Sequence, residues 1–272
     1  MSDWRLIQLE THDAFMNMAI DEAILTYRMR NEVPNTIRFF RWKPSAVSIG
    51  KFQITQNEVQ IENCQKLNVD VVRRITGGGT VYHDSESEIT YSVTANKQEL
   101  GTQDITSIYQ LIYKGLVEAL KTLGITADFQ QGNAKTCPNL TVKGRKISGS
   151  AQTHKNGTVL QHGTLLLDID LQKMFTLLNV PWAQDCMQIV NIAEKKHTSI
   201  NTELQRKISP NEVQKALISG FQTAFNTELK ETQLTEQETA LARKLCKEKY
   251  STTEWNLQGN TDTNLISSQR AI

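Results

Sequence analysis

The first group of residues that could do chemistry surrounds three consecutive glycines. Residues 73–84 read RRITGGGTVYHD, so two arginines precede the glycines and a histidine and an aspartate follow them. Glycine lets backbone N–H groups approach a ligand closely, and arginine offers forked donors suited to phosphate or carboxylate. A tight hairpin with solvated arginines is the alternative, but the flanking residues favour a ligand site. The spacing matches neither a GxxxxGK[ST] phosphate loop nor a GxGxxG dinucleotide motif.

The second group, residues 143–152, reads KGRKISGSAQ and predicts a hairpin turn followed by a strand with small side chains. Lys146 is the leading catalytic candidate. An ammonium fixed beside small residues can stabilise charge that develops on a reacting acyl oxygen or on a phosphate. A lysine in such a turn can instead face solvent.

The third group, residues 160–168, reads LQHGTLLLD, and Gln161 and His162 interrupt a run that is otherwise typical of a buried strand. Buried polar groups need partners. Either a neighbouring strand satisfies them or they line a pocket and meet a ligand.

The four cysteines are scattered and form no CxxC pair, so the sequence predicts neither a zinc site nor a disulfide scaffold, and no metal-ligating set is predicted. Most of the cysteines are expected to be buried thiols without a chemical role, but Cys137 could be reactive. Basic residues that are close in the sequence could favour its thiolate if they are also close in space. These are Lys135, Lys143, Arg145 and Lys146.

Short β-rich runs separated by turns must position these groups. The connections are too short for crossover helices, so we expect a largely antiparallel or mixed sheet within a single α+β domain. The predicted strands cover residues 5–9, 36–40, 46–49, 69–73, 89–93, 140–142 and 158–169.

Helices are predicted between the strands and through the last third of the chain. Apolar residues fall on one face of residues 106–123, and Gly124 is placed to end that helix. Two later helices begin with predicted capping boxes, in residues 209–212 and 235–238. The segment after Asn256 is polar and without pattern, and we expect a frayed tail.

Composition restricts the function classes. The chain has 272 residues, 30 basic and 29 acidic, with a net charge of +1, so no overall attraction to nucleic acid or to anionic membranes follows. The sequence contains neither a signal-peptide pattern nor an apolar run long enough to span a bilayer. We therefore expect a cytoplasmic protein that binds neither nucleic acid nor membrane.

The three groups, together with RFFRW at 38–42 and SIGKFQ at 48–53, resemble the biotin and lipoate protein ligase superfamily. The resemblance is closest to lipoate-protein ligases and their octanoyltransferase relatives. It runs from Trp4 to Asn256 and implies a catalytic domain over residues 1–257 and a polar tail over 258–272. It also implies a mixed central sheet flanked by helices, with a small helical C-terminal part and an acyl tunnel between the glycine turn and the Gly-Arg-Lys strand.

For a ligase of this kind, the resemblance implies that ATP and Mg²⁺ convert lipoate or octanoate to an acyl-adenylate. Lys146 would hold the carbonyl and phosphate oxygens. The acyl group would pass to a lysine of a lipoyl-accepting domain, in E2 subunits of 2-oxoacid dehydrogenases or in the glycine cleavage H protein. The residues implied to contact the acyl-adenylate are Arg74, Gly77, Gly78, Gly79, Tyr82, His83, Gly149, Ala151, His162 and Gly163.

We expect a ligase first, either self-sufficient or completed by a separate small accessory-domain protein. An octanoyltransferase that uses Cys137 as its nucleophile, and takes the acyl group from acyl carrier protein without ATP, is second. The short connection from Cys137 to Gly144, and Pro138 directly after the cysteine, favour the ligase. A non-catalytic lipoyl-binding module is disfavoured by the intact Lys146 and glycine turn, and a biotin ligase by the lack of an arginine-rich GRGR-type loop.

Overall fold

The computed structural model describes residues 4–133, 137–180 and 185–258, and two sheets form its framework. The strands are β1 (Trp4–His12), β2 (Asn35–Trp42), β3 (Ala46–Ile49), β4 (Asp70–Arg73), β5 (Val81–His83), β6 (Glu88–Asn96), β7 (Asp128–Gln130), β8 (Asn139–Val142), β9 (Arg145–Lys155), β10 (Thr158–Leu166) and β11 (Leu229–Glu231). The predicted strand over 158–169 therefore ends earlier, at Leu166.

The large sheet has the order β11-β1-β2-β6-β10-β9-β8-β7, and the small sheet has the order β4-β3-β5. Strand β1 pairs in parallel with β11 and with β2, and every pairing from β2 to β7 is antiparallel. In the small sheet β3 is parallel to β4 and antiparallel to β5. The prediction of a mixed, largely antiparallel α+β fold is confirmed.

Helices cover both faces of the large sheet and dominate the last third of the chain. The α-helices are α1 (Ala14–Met29), α2 (Thr55–Glu58), α3 (Ile61–Lys66), α4 (Ile105–Thr122), α5 (Leu171–Leu177), α6 (Cys186–Glu194), α7 (Ile200–Leu204), α8 (Pro210–Phe225) and α9 (Glu236–Leu245), followed by π-helical turns at Cys246–Tyr250 and Glu254–Gln258. None of the helices in the described parts is both long enough and apolar enough to cross a bilayer.

The two faces of the large sheet differ in character because side chains alternate along each strand. In β6 the residues Ile89, Tyr91 and Val93 join the main hydrophobic core with apolar side chains of α4 and α8. The intervening Thr90 and Ser92 point to the other face, towards α1 and the small sheet. The polar face is therefore the one that can hold a site.

The predicted helix signals agree with the structure in two of three cases. Helix α4 ends where Gly124 adopts a φ of +82°. Thr235 and Glu238 form the predicted capping box of α9. The other box is only half formed: Ser209 accepts from the Glu212 N–H, but the Glu212 carboxylate pairs with the nearby Arg206 and does not reach back to the cap.

The C-terminal turns are tied to the small sheet by Arg73. This buried guanidinium donates to the carbonyls of Gln53 and Trp255, at 2.7 and 2.9 Å. The Asn256 side chain accepts from the Arg73 backbone N–H at 2.9 Å. Apart from Gln258, the tail expected over 258–272 lies outside the described residues, so its limits stay a prediction.

Helices α4 and α8 cross closely at Gly115 and Gly220. A Cβ on Gly220 would lie 2.2 Å from the Gly115 carbonyl oxygen and 2.6 Å from the Ala119 nitrogen, and both atoms belong to backbone that cannot easily move. Overpacking costs about 1–3 kcal/mol and a better helix former returns about 1 kcal/mol. Because this overlap is severe, we expect Gly220→Ala to lower the free energy of unfolding by about 1–2 kcal/mol in urea denaturation.

The matched control is Ser219→Ala, which changes the exposed neighbouring position on the same helix. Its free energy of unfolding should stay within about 0.5 kcal/mol of the native value. Equal stability of the two variants would contradict the close crossing.

Candidate active site

A cavity of about 400 Å³ lies between the polar face of the large sheet and the small sheet. Its floor is a row of directly paired residues that crosses four strands: Thr90 on β6, Thr164 on β10, Gly149 on β9 and Asn139 on β8. Small and hydroxyl side chains leave room above the sheet. Three consecutive small residues of β9, Gly149, Ser150 and Ala151, line this space.

The glycine turn forms part of the roof. Gly78 has a φ of +87°, which L side chains rarely adopt. A Cβ on Gly50, at the end of β3, would lie 2.1 Å from the Gly78 carbonyl oxygen. The turn is thus packed directly against β3, and both glycines are needed for that approach.

Arg74 holds the turn in place with all five of its N–H donors. Nε donates to the Thr76 hydroxyl at 3.1 Å, one terminal nitrogen donates to the carbonyl and hydroxyl of Ser48 at 3.0 and 3.1 Å, and the other donates to the carbonyls of Gly77 and Gly79 at 2.8 and 2.6 Å. The guanidinium is buried, and burial lowers its pKa to about 10. Because its donors are used within the protein, Arg74 shapes the cavity chiefly by fixing the turn.

Two buried histidines connect this roof to carboxylates on either side. His162 Nδ1 lies 3.0 Å from Asp21 Oδ2, and its Nε2 lies 2.8 Å from the Thr76 hydroxyl. Burial lowers the pKa of His162, and the Asp21 carboxylate opposes that shift. A neutral ring can donate to Asp21 and accept from Thr76, which in turn accepts from Arg74.

The second histidine, His83, is held in the same manner. Its Nδ1 lies 2.7 Å from the Glu88 carboxylate and its Nε2 lies 2.8 Å from the Ser48 hydroxyl. The ring stacks on Trp42 with centroids 4.0 Å apart. His83 is therefore a fixed part of the cavity wall.

Lys146 brings a positive charge to the floor. Its amine lies over Gly149, where an added Cβ would be only 2.7 Å from Nζ. The Lys146 backbone is held by hydrogen bonds with Lys196 and Thr198. Burial lowers the pKa of Lys146, and a negative charge on Cys137 would raise it. The Lys146 amine and the Cys137 thiol are therefore close enough to interact electrostatically.

Cys137 reaches the cavity opposite the glycine turn. A Cβ on Gly78 would lie 3.6 Å from the Cys137 sulfur. The sulfur also interacts with the Tyr109 hydroxyl, and burial followed by the charge of Cys137 raises the pKa of that tyrosine. The next residue, Pro138, is anchored because its carbonyl accepts from Tyr113 at 2.9 Å.

Of the basic residues near Cys137 in the sequence, Lys146 reaches the cavity, whereas Lys143 and Arg145 turn away to Glu203, at 3.5 and 2.6 Å. Lys135 lies outside the described residues. Arg74, from a different part of the chain, is instead the second cation that interacts with Cys137.

The structure brings most of the predicted site residues to the lining of one cavity. These are Arg74, Gly78, Gly79, His83, Cys137, Lys146, Gly149, Ala151, His162 and Gly163. Gly77 and Tyr82 are not among the lining residues. The Tyr82 ring packs in a separate apolar cluster and its hydroxyl donates to Asp84 at 2.8 Å. Gln161 faces away from the cavity and donates to the Tyr91 hydroxyl at 3.2 Å.

Sequence reasoning missed several lining residues, chiefly those that reach the cavity from other elements. They are Met18, Trp42, Ser48, Thr80, Val81, Thr90, Asn139, Ser150 and Thr164. The alternation of hydroxyl and apolar residues along β6 was the available signal for Thr90. No local pattern marks Met18, because α1 was not predicted.

Residues 13–222 match the family described as the lipoyl protein ligase A/B catalytic domain. The chain belongs to this family. Solved members of similar structure include a bi-partite lipoate protein ligase from Thermoplasma acidophilum, studied with its E2 lipoyl domain, at 30% identity and a TM-score of 0.83 over 94% of this chain and 97% of that one. A lipoate-protein ligase A bound with ATP matches at 30% identity and a TM-score of 0.81, over 94% and 98%.

Several curated relatives carry a different activity in their name. Octanoyltransferase LipM of Brevibacillus brevis is 36% identical over 95% of this chain and all of its own length. The proteins of the same name from Clostridioides difficile and Bacillus subtilis are 36% and 33% identical, over 94% and 93% of this chain.

These relatives correct the predicted reaction. The expectation of an ATP-dependent ligase, with ATP and Mg²⁺ as cofactors, is wrong, and the second reading, an octanoyltransferase, is the better supported one. The short connection after Cys137 and the following Pro138 had favoured the ligase over the transferase. In the folded chain these features do not remove the cysteine from the cavity.

The electrostatic coupling of Lys146 and Cys137 can be measured directly. In ¹³C-lysine NMR, the Lys146 ε-carbon should titrate with a midpoint below the usual 10.5, because burial lowers the pKa of this amine. Cys137→Ser removes the negative charge that raises the pKa, so the midpoint should fall further. Cys246→Ser, in the C-terminal π-helical segment, should leave the midpoint unchanged. A Lys146 midpoint that ignores Cys137→Ser would contradict the proximity of the two groups.

Proposed function

We propose that this protein transfers an octanoyl group from acyl carrier protein to a lysine of a lipoyl-accepting domain, through a thioester on Cys137. The observation that carries the proposal is that Cys137 and Lys146 line the same cavity and interact electrostatically. The octanoyltransferase relatives, which span nearly the whole chain, support the same reaction.

In the first half-reaction the Cys137 sulfur attacks the carbonyl carbon of the octanoyl thioester. A carbon–sulfur bond forms to Cys137, and the bond to the carrier sulfur breaks. The Cys137 proton passes through Lys146 to the departing carrier thiol, so a thiol and a thioester are regenerated. Because burial lowers the pKa of Lys146, its neutral form, which can accept the Cys137 proton, is more populated near neutral pH than in a free lysine.

In the second half-reaction a neutral amine of the acceptor lysine attacks the Cys137 thioester. The new carbon–nitrogen bond gives an amide, and the Cys137 sulfur leaves and recovers a proton from the amine through Lys146. A thioester is already activated, so no adenylate is needed. The two cations near the sulfur, Arg74 and Lys146, face the negative charge that develops during both steps.

The acceptors we propose are lipoyl domains of 2-oxoacid dehydrogenase E2 subunits and the glycine cleavage H protein. The Thermoplasma ligase of similar fold was studied with an E2 lipoyl domain, which supports this class of acceptor. The accessory-domain protein considered for a ligase has no part in this reaction. We place the reaction in the cytoplasm, where these carriers act.

The test is transfer from octanoyl acyl carrier protein to a lipoyl domain without ATP. The native chain should gain the mass of one octanoyl group, on the peptide that contains Cys137. Cys137→Ala should lose this adduct and should lose transfer by on the order of a thousandfold or more, because it removes the nucleophile.

Cys246→Ser is the matched control and should keep native transfer. An octanoyl adduct on another residue, or transfer that requires ATP, would refute the proposal.

A second variant tests the position of the Lys146 amine without removing it. In Gly149→Ala the new methyl group would lie only 2.7 Å from Cε and Nζ of Lys146, so the flexible lysine side chain must move away. Transfer should fall on the order of a hundredfold, as for the loss of one well-placed charge donor. The free energy of unfolding should change little.

A double-mutant cycle separates this effect from general damage to the strand. In the Lys146→Ala background, Gly149→Ala should cause little further loss of transfer, because the displaced group is already absent. Additive losses would show that Gly149 acts independently of Lys146.

A further inference from the structure

Asp21, on α1, does not line the cavity, but its buried carboxylate is held by three partners. One oxygen accepts from the Arg38 guanidinium at 3.0 Å and from the Ser92 hydroxyl at 2.9 Å, and the other lies 3.0 Å from His162 Nδ1. Burial alone would raise the pKa of this carboxyl, but the hydrogen bond with His162 and the charge of Arg38 hold the pKa below its usual range. Asp21 is therefore a carboxylate, and it accepts the proton on Nδ1 of His162.

The other nitrogen of the His162 ring determines how the Thr76 hydroxyl is oriented. Burial lowers the pKa of His162, so the ring is neutral near neutral pH. With its one ring proton on Nδ1, Nε2 can only accept, and the Thr76 hydroxyl 2.8 Å away must donate to it. The same hydroxyl oxygen accepts from Arg74 Nε at 3.1 Å. A single order of donors therefore runs from Arg74 through Thr76 and His162 to Asp21.

We propose that Asp21 is a positioning residue, which fixes the tautomer of His162 and, through Thr76, the glycine turn beside the nucleophile. The inference rests on the proposed function, because it takes Cys137 to be the reacting group. The Arg74 guanidinium that donates to Thr76 also holds the carbonyls of residues 77 and 79. Residue 78 lies between them, and a Cβ there would be 3.6 Å from the Cys137 sulfur. A change at Thr76 therefore reaches the turn that faces the sulfur.

Asp21→Asn keeps the shape of the side chain but reverses the order of donors. Arg38 can only donate, so the amide oxygen must stay towards Arg38 and the amide nitrogen must face His162. That nitrogen donates to Nδ1, so the ring proton moves to Nε2, which then donates to Thr76. The Thr76 proton loses the acceptor that it has in the native protein, and a buried hydroxyl without an acceptor is unfavourable. Thr76 and the Arg74 side chain must adjust, and the turn moves with them.

Nitrogen-15 NMR of labelled histidine measures this tautomer directly. The His162 signals are identified by their loss in His162→Gln. In the native protein the ring proton should lie on Nδ1, and in Asp21→Asn it should lie on Nε2. The backbone amide signals of Gly77 and Gly79 should shift in Asp21→Asn, because Arg74 holds both of their carbonyls.

The effect on the reaction is measured as the single-turnover rate at which the octanoyl adduct forms on Cys137. In Asp21→Asn this rate should fall on the order of a hundredfold, the loss expected for a displacement of about 1 Å near a reacting group. Should Asp21→Asn fail to fold in thermal unfolding, Thr76→Val decides, because it removes the hydroxyl with little change of shape and should show a loss of the same order. Thr76→Ser, which keeps the hydroxyl, should recover most of the rate lost in Thr76→Val.

The matched control is Glu22→Gln, which removes a carboxylate from the next residue of α1. Glu22 pairs with Lys249 at 2.7 Å and has no part in the order of donors. This variant should keep the native tautomer of His162 and the native single-turnover rate. A native His162 with its proton on Nε2, or a folded Asp21→Asn or Thr76→Val protein with the native rate, would overturn the proposal.

The NMR measurements need no acyl transfer, so they separate this inference from the proposed reaction. If the native protein forms no octanoyl adduct, the proposed function fails. The tautomer change and the shifted signals of Gly77 and Gly79 would then still support the positioning role of Asp21. If those glycine signals stay in place while the tautomer changes, Asp21 does not act on the turn, and the inference fails whether or not transfer occurs.

Discussion

The rest of the site depends on the hydrogen bonds that Arg74 donates to the glycine turn and to Ser48. All five of its donors go to uncharged oxygens, and four of these belong to the backbone or side chains of residues 48, 77 and 79. A buried guanidinium is costly unless its donors are satisfied, so the surrounding oxygens and the arginine stabilise one another. This arrangement gives a side-chain-free turn a single shape.

The carboxylates nearest to this buried charge along the hydrogen-bond network are each separated from it by two residues. Asp21 acts through His162 and Thr76, whereas Glu88 acts through His83 and Ser48. None of the hydrogen-bond acceptors of Arg74 is a carboxylate, so no ion pair neutralises its charge directly. The field of this charge reaches Cys137, which also meets the charge of Lys146. A reaction that develops negative charge on sulfur and oxygen is suited to such surroundings.

The family contains both ligases and transferases, and one framework can serve both. In each case an activated acyl group must be held at its carbonyl and shielded along its tail. In an acyl-adenylate the acyl group is already activated for attack by the acceptor amine. Exchange of a carrier thioester for an enzyme thioester needs a nucleophile on the enzyme. Here Cys137 lines the cavity together with the two cations Arg74 and Lys146. A cysteine in such surroundings is suited to the transfer reaction that the name of the octanoyltransferase relatives describes.

The sequence by itself determined the fold class, the approximate strands and the residue groups around the glycine turn and Lys146, because these depend on local alternation, turn chemistry and motif. It did not determine the reaction. Whether Cys137 meets Lys146 and Arg74 depends on pairing between β8 and β9 and on contact between two sheets, and these are interactions between residues far apart in the chain.

The same reason explains the errors of detail. Lys143 and Arg145 are nearer to Cys137 in sequence than Arg74 is, yet both pair with Glu203 on α7, away from the cavity. Tyr82 and His83 are adjacent, but strand alternation sends the tyrosine into a separate apolar cluster. Trp42 was predicted only as part of the RFFRW motif, and the tertiary structure places it in the lining of the cavity, where it contacts Thr90 and His83.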